Sequence, residues 1–179
     1  MKAEELRLLQ TPLKERYREE PEAALVTLKA LGRICEGLTC RVETGKAIVE
    51  AGLHPATGGN GLTACSGDML LEALAACAGV TIGAVATAIG VEIRDGSVLA
   101  EGDLDFRGTL GVSRDAPVGF QRIRLHFELE TDASEEQLAS LMRLTERYCV
   151  VYQTLRGSAE VNVSHRATPR AATEAIRNS

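Results

Sequence analysis

Residues 66–89, SGDMLLEALAACAGVTIGAVATAI, limit the possible folds more than any other part of this chain. Their length and period are those of one long helix. Ser66 reads as its N-cap, Asp68 falls in the first turn where the helix dipole favours a negative charge, and Gly90 reads as its stop. From Ala73 to Ile89 there is no charged residue, and the apolar side chains run all the way round. Such a helix needs cover on every side, from a bilayer or from protein. Gly79 and Gly83 have the spacing that lets membrane helices approach closely. However, the uncharged run is only about 17 residues, is rich in Ala, Gly and Thr, and lacks flanking cations and aromatic anchors. A central buried helix, with no membrane, is therefore the expectation.

The 179 residues suit one domain with a substantial core. Aromatics are only 3% of the chain and Trp is absent, so the core is built from Ala, Leu, Val and Ile, and stacking platforms for single-stranded nucleic acid are not expected. A net charge of −5 likewise disfavours phosphate backbones. The partner classes left are a small molecule and a second copy of the chain. Cysteines number five, at positions 35, 40, 65, 77 and 149, and no apolar export segment precedes them. The expected compartment is a reducing cytoplasm, where cysteines are core, metal ligands or redox groups rather than a disulfide framework.

Along the chain, residues 1–23 read as an N-terminal helical segment, with Pro12 as a break or kink and Pro21 as a stop. Residues 24–53 read as strands with turns near Gly37 and Gly45, and 54–64 as a glycine-rich loop. Residues 91–107 alternate in part. The clearest strand places Ile123, Leu125, Phe127 and Leu129 on one face, with Arg124, His126 and Glu128 on the other. Ser134 and Gln137 have capping-box spacing and open a second helix that reaches Cys149 or beyond. Residues 157–165 read as a last strand, and 167–179 as a loosely held tail. Strands without regular β-α-β alternation indicate an α+β fold with a mostly antiparallel sheet.

Read alone, Cys77 is a small core hydrophobe: it sits too deep in its helix for the N-terminal dipole to activate it, so any activation must come from a neighbour brought in by the fold. Cys35 and Cys40 lack two further ligands at zinc spacing, and His54, His126 and His165 are scattered, so no metal site is expected. Cys65 reads as a loop cysteine. GGNG, residues 58–61, lacks the Lys-Ser/Thr of a phosphate loop and reads as a flexible lead-in to the helix.

GGNG, then CSGDMLLEALAAC ending at Cys77, then alternating strands, then a second helix bearing Cys149, resembles the OsmC/Ohr family of thiol-dependent peroxidases over roughly residues 24–166. That resemblance implies a mechanism: Cys77 attacks a peroxide oxygen and becomes a sulfenic acid, Cys149 resolves it to a disulfide, and a dithiol reductant reopens the bridge. It also implies an intertwined homodimer with the sites at the subunit interface, no cofactor, Asp68 as the acidic group at the helix start, and Arg41 as the activating cation with Arg33 as its rival. The chain departs from the family pattern in three places. Asp68 stands nine positions before Cys77, where the hydroperoxide branch carries Glu at ten. The arginine lies in no sharp motif. Val150 replaces the common proline after the second cysteine. Two readings remain open on the residues: a peroxidase acting on organic or hydrogen peroxide, and a non-catalytic dimer of the same fold that binds a small apolar ligand near Cys77.

Overall fold

The computed structural model describes residues 2–5, 8, 11, 19, 31–35, 39–43, 48–111 and 113–167. The expected kink at Pro12, stop at Pro21, strand start at 24–30 and tail from 168 onward lie outside these, as do the side chains of 31–35 and 39–43. A first sheet has the order β1 (Leu31–Cys35), β2 (Thr39–Glu43), β3 (Ile48–Gly52), β4 (Ala64–Cys65). Its first two pairings are antiparallel and the short last one is parallel. The loop expected over 54–64 contains a 3₁₀ turn at Pro55–Thr57. Helix α1 (Ser66–Ile89) follows, then β5 (Asp95–Asp103), the short α2 (Phe106–Thr109), β6 (Arg122–Glu130), α3 (Glu135–Tyr148) and α4 (Val150–Arg156).

The apolar run of 66–89 is one unbroken helix. Gly90 ends it at φ 73, donating its N–H to the Ala86 carbonyl; a left-handed residue there is cheap only for glycine. The N-cap is Cys65, not Ser66, and it makes no side-chain cap bond. The cause is the preceding bridge: Cys65 pairs with Gly52 as the end of β4, so it is the last extended residue and Ser66 is already helical.

Strands β5 and β6 form a two-stranded antiparallel sheet in which Val98 faces Phe127 and Ala100 faces Leu125 on one side, while Glu101 faces Arg124 on the other. The alternation read from the sequence thus places the apolar side against α1. On the wet side Arg124 bonds both Asp103 and Glu101. Gly102 is required by close approach, since a Cβ there would lie 2.4 Å from the Phe120 ring. Helix α3 opens with the full capping box: Ser134 Oγ accepts from the Gln137 N–H at 3.3 Å, and Gln137 Oε1 accepts from the Ser134 N–H at 2.9 Å.

The core lies where α1 crosses α3 and the sheet. Ile82, Val85, Ala86, Val91 and Leu141 are its buried centre, with Phe127, Leu138 and Met142 packed around them. Because Ala86 and Val91 meet the start of α3, the two helices run antiparallel, which carries the end of α3 back toward the middle of α1.

Within the single chain α1 keeps an exposed face: Val80 is 76% exposed, and Ala73, Ala76 and Gly83 are exposed with it. By length and composition the helix could cross a membrane, and 28% of its apolar stretch is buried. Residues 157–165 do not form a strand; Val161 and Val163 are 82% and 92% exposed, and among the described residues no strand pairs with them. An alternating pattern becomes a strand only where a sheet edge receives it.

Candidate functional site

Cys77 lies midway along α1, half-buried, and Cys149 faces it, 1% exposed. Cys149 is not inside the second helix. It has extended geometry, φ −72 and ψ 107, and is both the C-cap of α3 and the N-cap of α4. Its N–H still bonds the Thr145 carbonyl at 2.9 Å and its carbonyl accepts from the Gln153 N–H at 2.9 Å, so the chain bends at this residue without losing either helix end. The bend frees the first amides of α4, which have no carbonyl within their own helix to bond.

Those amides meet Cys77. Burial pushes the Cys77 thiol up, but the Val151 N–H, the Cys149 thiol, the Thr81 hydroxyl and the Val150 N–H together hold it below the usual thiol value. Cys149 goes the other way. Burial pushes it up, the Tyr152 N–H partly offsets this, and the hydrogen bond to Cys77 and repulsion by its charge push it up further, against a small opposing effect of Thr81. Cys77 is thus the more acidic thiol of the pair and Cys149 the less acidic. A depressed, half-accessible thiolate is the form of cysteine that acts as a nucleophile. A second thiol already in contact with it needs little movement to form a bridge.

Among the described residues, the other sequence candidates do not gather here. Asp68 lies in the first turn of α1 and is exposed. Nine residues of helix put it about 13 Å along the axis from Cys77 and about half a turn round, so within this chain the two side chains point apart. Arg33 and Arg41 are directly opposite each other in the β1–β2 ladder, and their side chains lie outside the described residues, as do those of Cys35 and Cys40. Cys65 is a free, half-buried thiol at the foot of α1. His54 is occupied, its Nδ1 accepting from the Ala56 N–H while its ring stacks on Phe106 at 4.9 Å. His126 stands on the wet face of the sheet, 3.8 Å from Glu101. Among the described residues no group of three potential metal ligands stands together.

A cleft of about 490 Å³ opens between β6 and the α3–α4 bend. Leu74, three residues before Cys77 on α1, lies in its wall with Leu125, Phe127 and Met142, and Arg122 and Arg156 stand among the polar lining. Tyr152 in the same wall donates its hydroxyl to Glu146 at 3.1 Å. The sequence reading missed the amides of Val150 and Val151, and it missed Thr81. Thr81 was recoverable, since i+4 on a helix shares a face with i.

A family model described as OsmC-like protein matches residues 58–164, more than half of the chain. No protein of curated function matches by sequence. Among solved structures, an OsmC-like protein from Mycoplasma pneumoniae superposes with a TM-score of 0.63 at 19% identity, covering 74% of this chain and 89% of its own. An organic hydroperoxide resistance protein from Elizabethkingia anophelis gives 0.61 at 17% identity, covering 75% and 91%. Another, from Legionella pneumophila, gives 0.59 at 20%, covering 74% and 93%. At these identities the structural likeness speaks for the fold, and the family model adds membership: this chain belongs to the OsmC-like protein family.

Proposed function

We propose that the protein is a thiol-dependent peroxidase in which Cys77 is the nucleophile and Cys149 the resolving thiol. The Cys77 thiolate attacks the terminal oxygen of a hydroperoxide. An S–O bond forms as the O–O bond breaks, sulfur is oxidised by two electrons to a sulfenic acid, and the departing alkoxide takes up a proton and leaves as an alcohol. Cys149 then attacks the oxidised sulfur, the S–S bond forms as the S–O bond breaks, and hydroxide leaves as water with the proton that Cys149 gives up. An external dithiol returns both cysteines to thiols. The observation that carries this reading is the pairing of half-buried Cys77 with buried Cys149 at the start of α4, where the first thiol is held below and the second above the usual thiol value.

Organic hydroperoxide resistance proteins from Elizabethkingia anophelis and Legionella pneumophila share the fold, and an organic hydroperoxide suits the apolar wall beginning at Leu74. The proposed assembly is a homodimer that covers the exposed face of α1, and the proposed setting is a reducing cytoplasm that keeps the thiols free. Arg41 or Arg33 is proposed as an added cation for the thiolate; Asp68 is proposed to favour the helix start. The test is consumption of cumene hydroperoxide and hydrogen peroxide with a dithiol reductant. Wild type should turn over, Cys77→Ser should be inactive, and Cys149→Ser should complete one turnover and stop with Cys77 oxidised. Equal activity in wild type and Cys77→Ser would remove the peroxidase reading and leave the cleft as a ligand-binding site.

A further inference from the structure

Residues 135–156 contain neither glycine nor proline, so the local sequence permits one helix straight through Cys149, yet the chain bends there. At ψ 107 the peptide after Cys149 is turned by about 150° from its helical setting. The Val150 N–H is thereby taken away from the Glu146 carbonyl, its partner in a continuous helix. The Thr145 carbonyl keeps a main-chain partner, the Cys149 N–H at 2.9 Å. The next carbonyl, that of Glu146, becomes one of the orphans of the helix end. Its partner is the Gln153 side-chain amide, which donates to it at 2.7 Å. The Glu146 carboxylate accepts the Tyr152 hydroxyl at 3.1 Å. One residue of α3 thus holds two successive residues of α4 across the bend, through its main chain and its side chain.

We infer that Gln153 is a positioning residue for the cysteine pair: its side-chain amide takes the place of the Val150 N–H on the Glu146 carbonyl and so holds the bend that buries Cys149 against α1. The straight and the bent forms compete for that one carbonyl. In the straight form a main-chain amide fills it and α4 prolongs α3. In the bent form α3 and α4 each pack on α1, with Cys149 between them and 1% exposed. Only an N–H or O–H group satisfies a carbonyl, and glutamine carries such a donor at the end of an uncharged side chain. With the carbonyl already filled, straightening gains no bond there. The geometry stands without any reaction, and the peroxidase reading supplies only its use, which is to keep the resolving thiol at the helix that carries Cys77.

The test is the rate at which iodoacetamide labels Cys149 in the full chain carrying Cys77→Ser, read by peptide mass mapping at high ionic strength. Cys149 is buried, so labelling requires the bend to open, and its rate follows the population of the open form. Gln153→Met keeps the helix propensity and loses the donor. It should raise the rate about two- to tenfold, the effect of one hydrogen bond. Gln153→Lys restores a donor for the last carbonyls of α3, and with its charge screened by salt it should follow the Cys77→Ser parent. Thr154→Val loses a bond made within α4, from its hydroxyl to the Val150 carbonyl at 2.8 Å, and should leave the rate unchanged. The rise in Gln153→Met should depend only weakly on denaturant, because a local opening exposes little surface. A Gln153→Met rate equal to the parent's, an equal rise in Gln153→Lys or Thr154→Val, or a rise that tracks global unfolding overturns the inference. Labelling needs no peroxide, so a protein that consumes none while Gln153→Met still opens the bend refutes the peroxidase and leaves the positioning role standing.

Discussion

Val150→Pro separates the chemistry of the site from the stability of the fold. Val150 is the first helical residue of α4, its side chain is 69% exposed, and the preceding Cys149 has extended geometry at φ −72 and ψ 107. Proline suits such a place: its fixed φ is helical, its missing N–H costs no helix bond at the first position, and the residue before it is already extended. By restricting the unfolded chain it should raise stability by about 0.4–1 kcal/mol. That gain should be measured in a Cys77→Ala background, where the lost amide bond has no sulfur acceptor. The chemistry should move the other way. The Val150 N–H is one of the groups holding Cys77 below its usual value, and the smallest of them. Removing one such donor is worth about 1 kcal/mol, or about fivefold in thiolate population below the midpoint. Chemical denaturation and the pH profile of Cys77 alkylation check the two halves. An unchanged alkylation profile would refute the claim that the start of α4 activates Cys77. A loss of stability would refute the placement of Val150 at a helix start.

Three further outcomes follow from the same geometry. Leu141→Ala, at a fully buried position against Ile82 and Ala86, should cost about 2–5 kcal/mol in denaturant unfolding; a loss under about 1 kcal/mol would mean that the α1–α3 contact is looser than described. Asp68→Asn should cost about 0.3–1 kcal/mol through the helix dipole and leave the Cys77 alkylation profile in place, and a shifted profile would bring Asp68 back to the site. As pH rises, Cys77 should alkylate before a free cysteine does and Cys149 after it, because the first is lowered and the second raised; the opposite order, read by peptide mapping, would exchange their roles.

The parts of the fold that follow from local periodicity were legible in the residues. Helix α1 and its stop at Gly90, the alternation of β6 and the Ser134–Gln137 box each rest on contacts within a few residues or on one buried face. The bend at Cys149 was not legible, because Tyr148, Val150 and Val151 include neither Gly nor Pro and the break shows only where the chain packs against Cys77. The alternation of Val161 and Val163 was read as a strand, yet a strand also needs an edge, which no local pattern supplies. Helix arithmetic sets Asp68, nine residues before Cys77, about half a turn round from it within this chain, whereas the family pattern counts ten. The cysteine pair was found through the resemblance, whereas its polarity, with Cys77 the more acidic thiol and Cys149 the less acidic, required the positions of the α4 amides.

The central claim is that Cys77 and Cys149 form one redox unit, and a single oxidation tests it most directly. Fully reduced protein should receive one equivalent of cumene hydroperoxide, be quenched by alkylation, digested without reduction and mapped by mass spectrometry. The account predicts one disulfide, joining the Cys77 and Cys149 peptides, with Cys35, Cys40 and Cys65 recovered as alkylated thiols. Oxidation at one of those three instead, with Cys77 and Cys149 both alkylated, would contradict it.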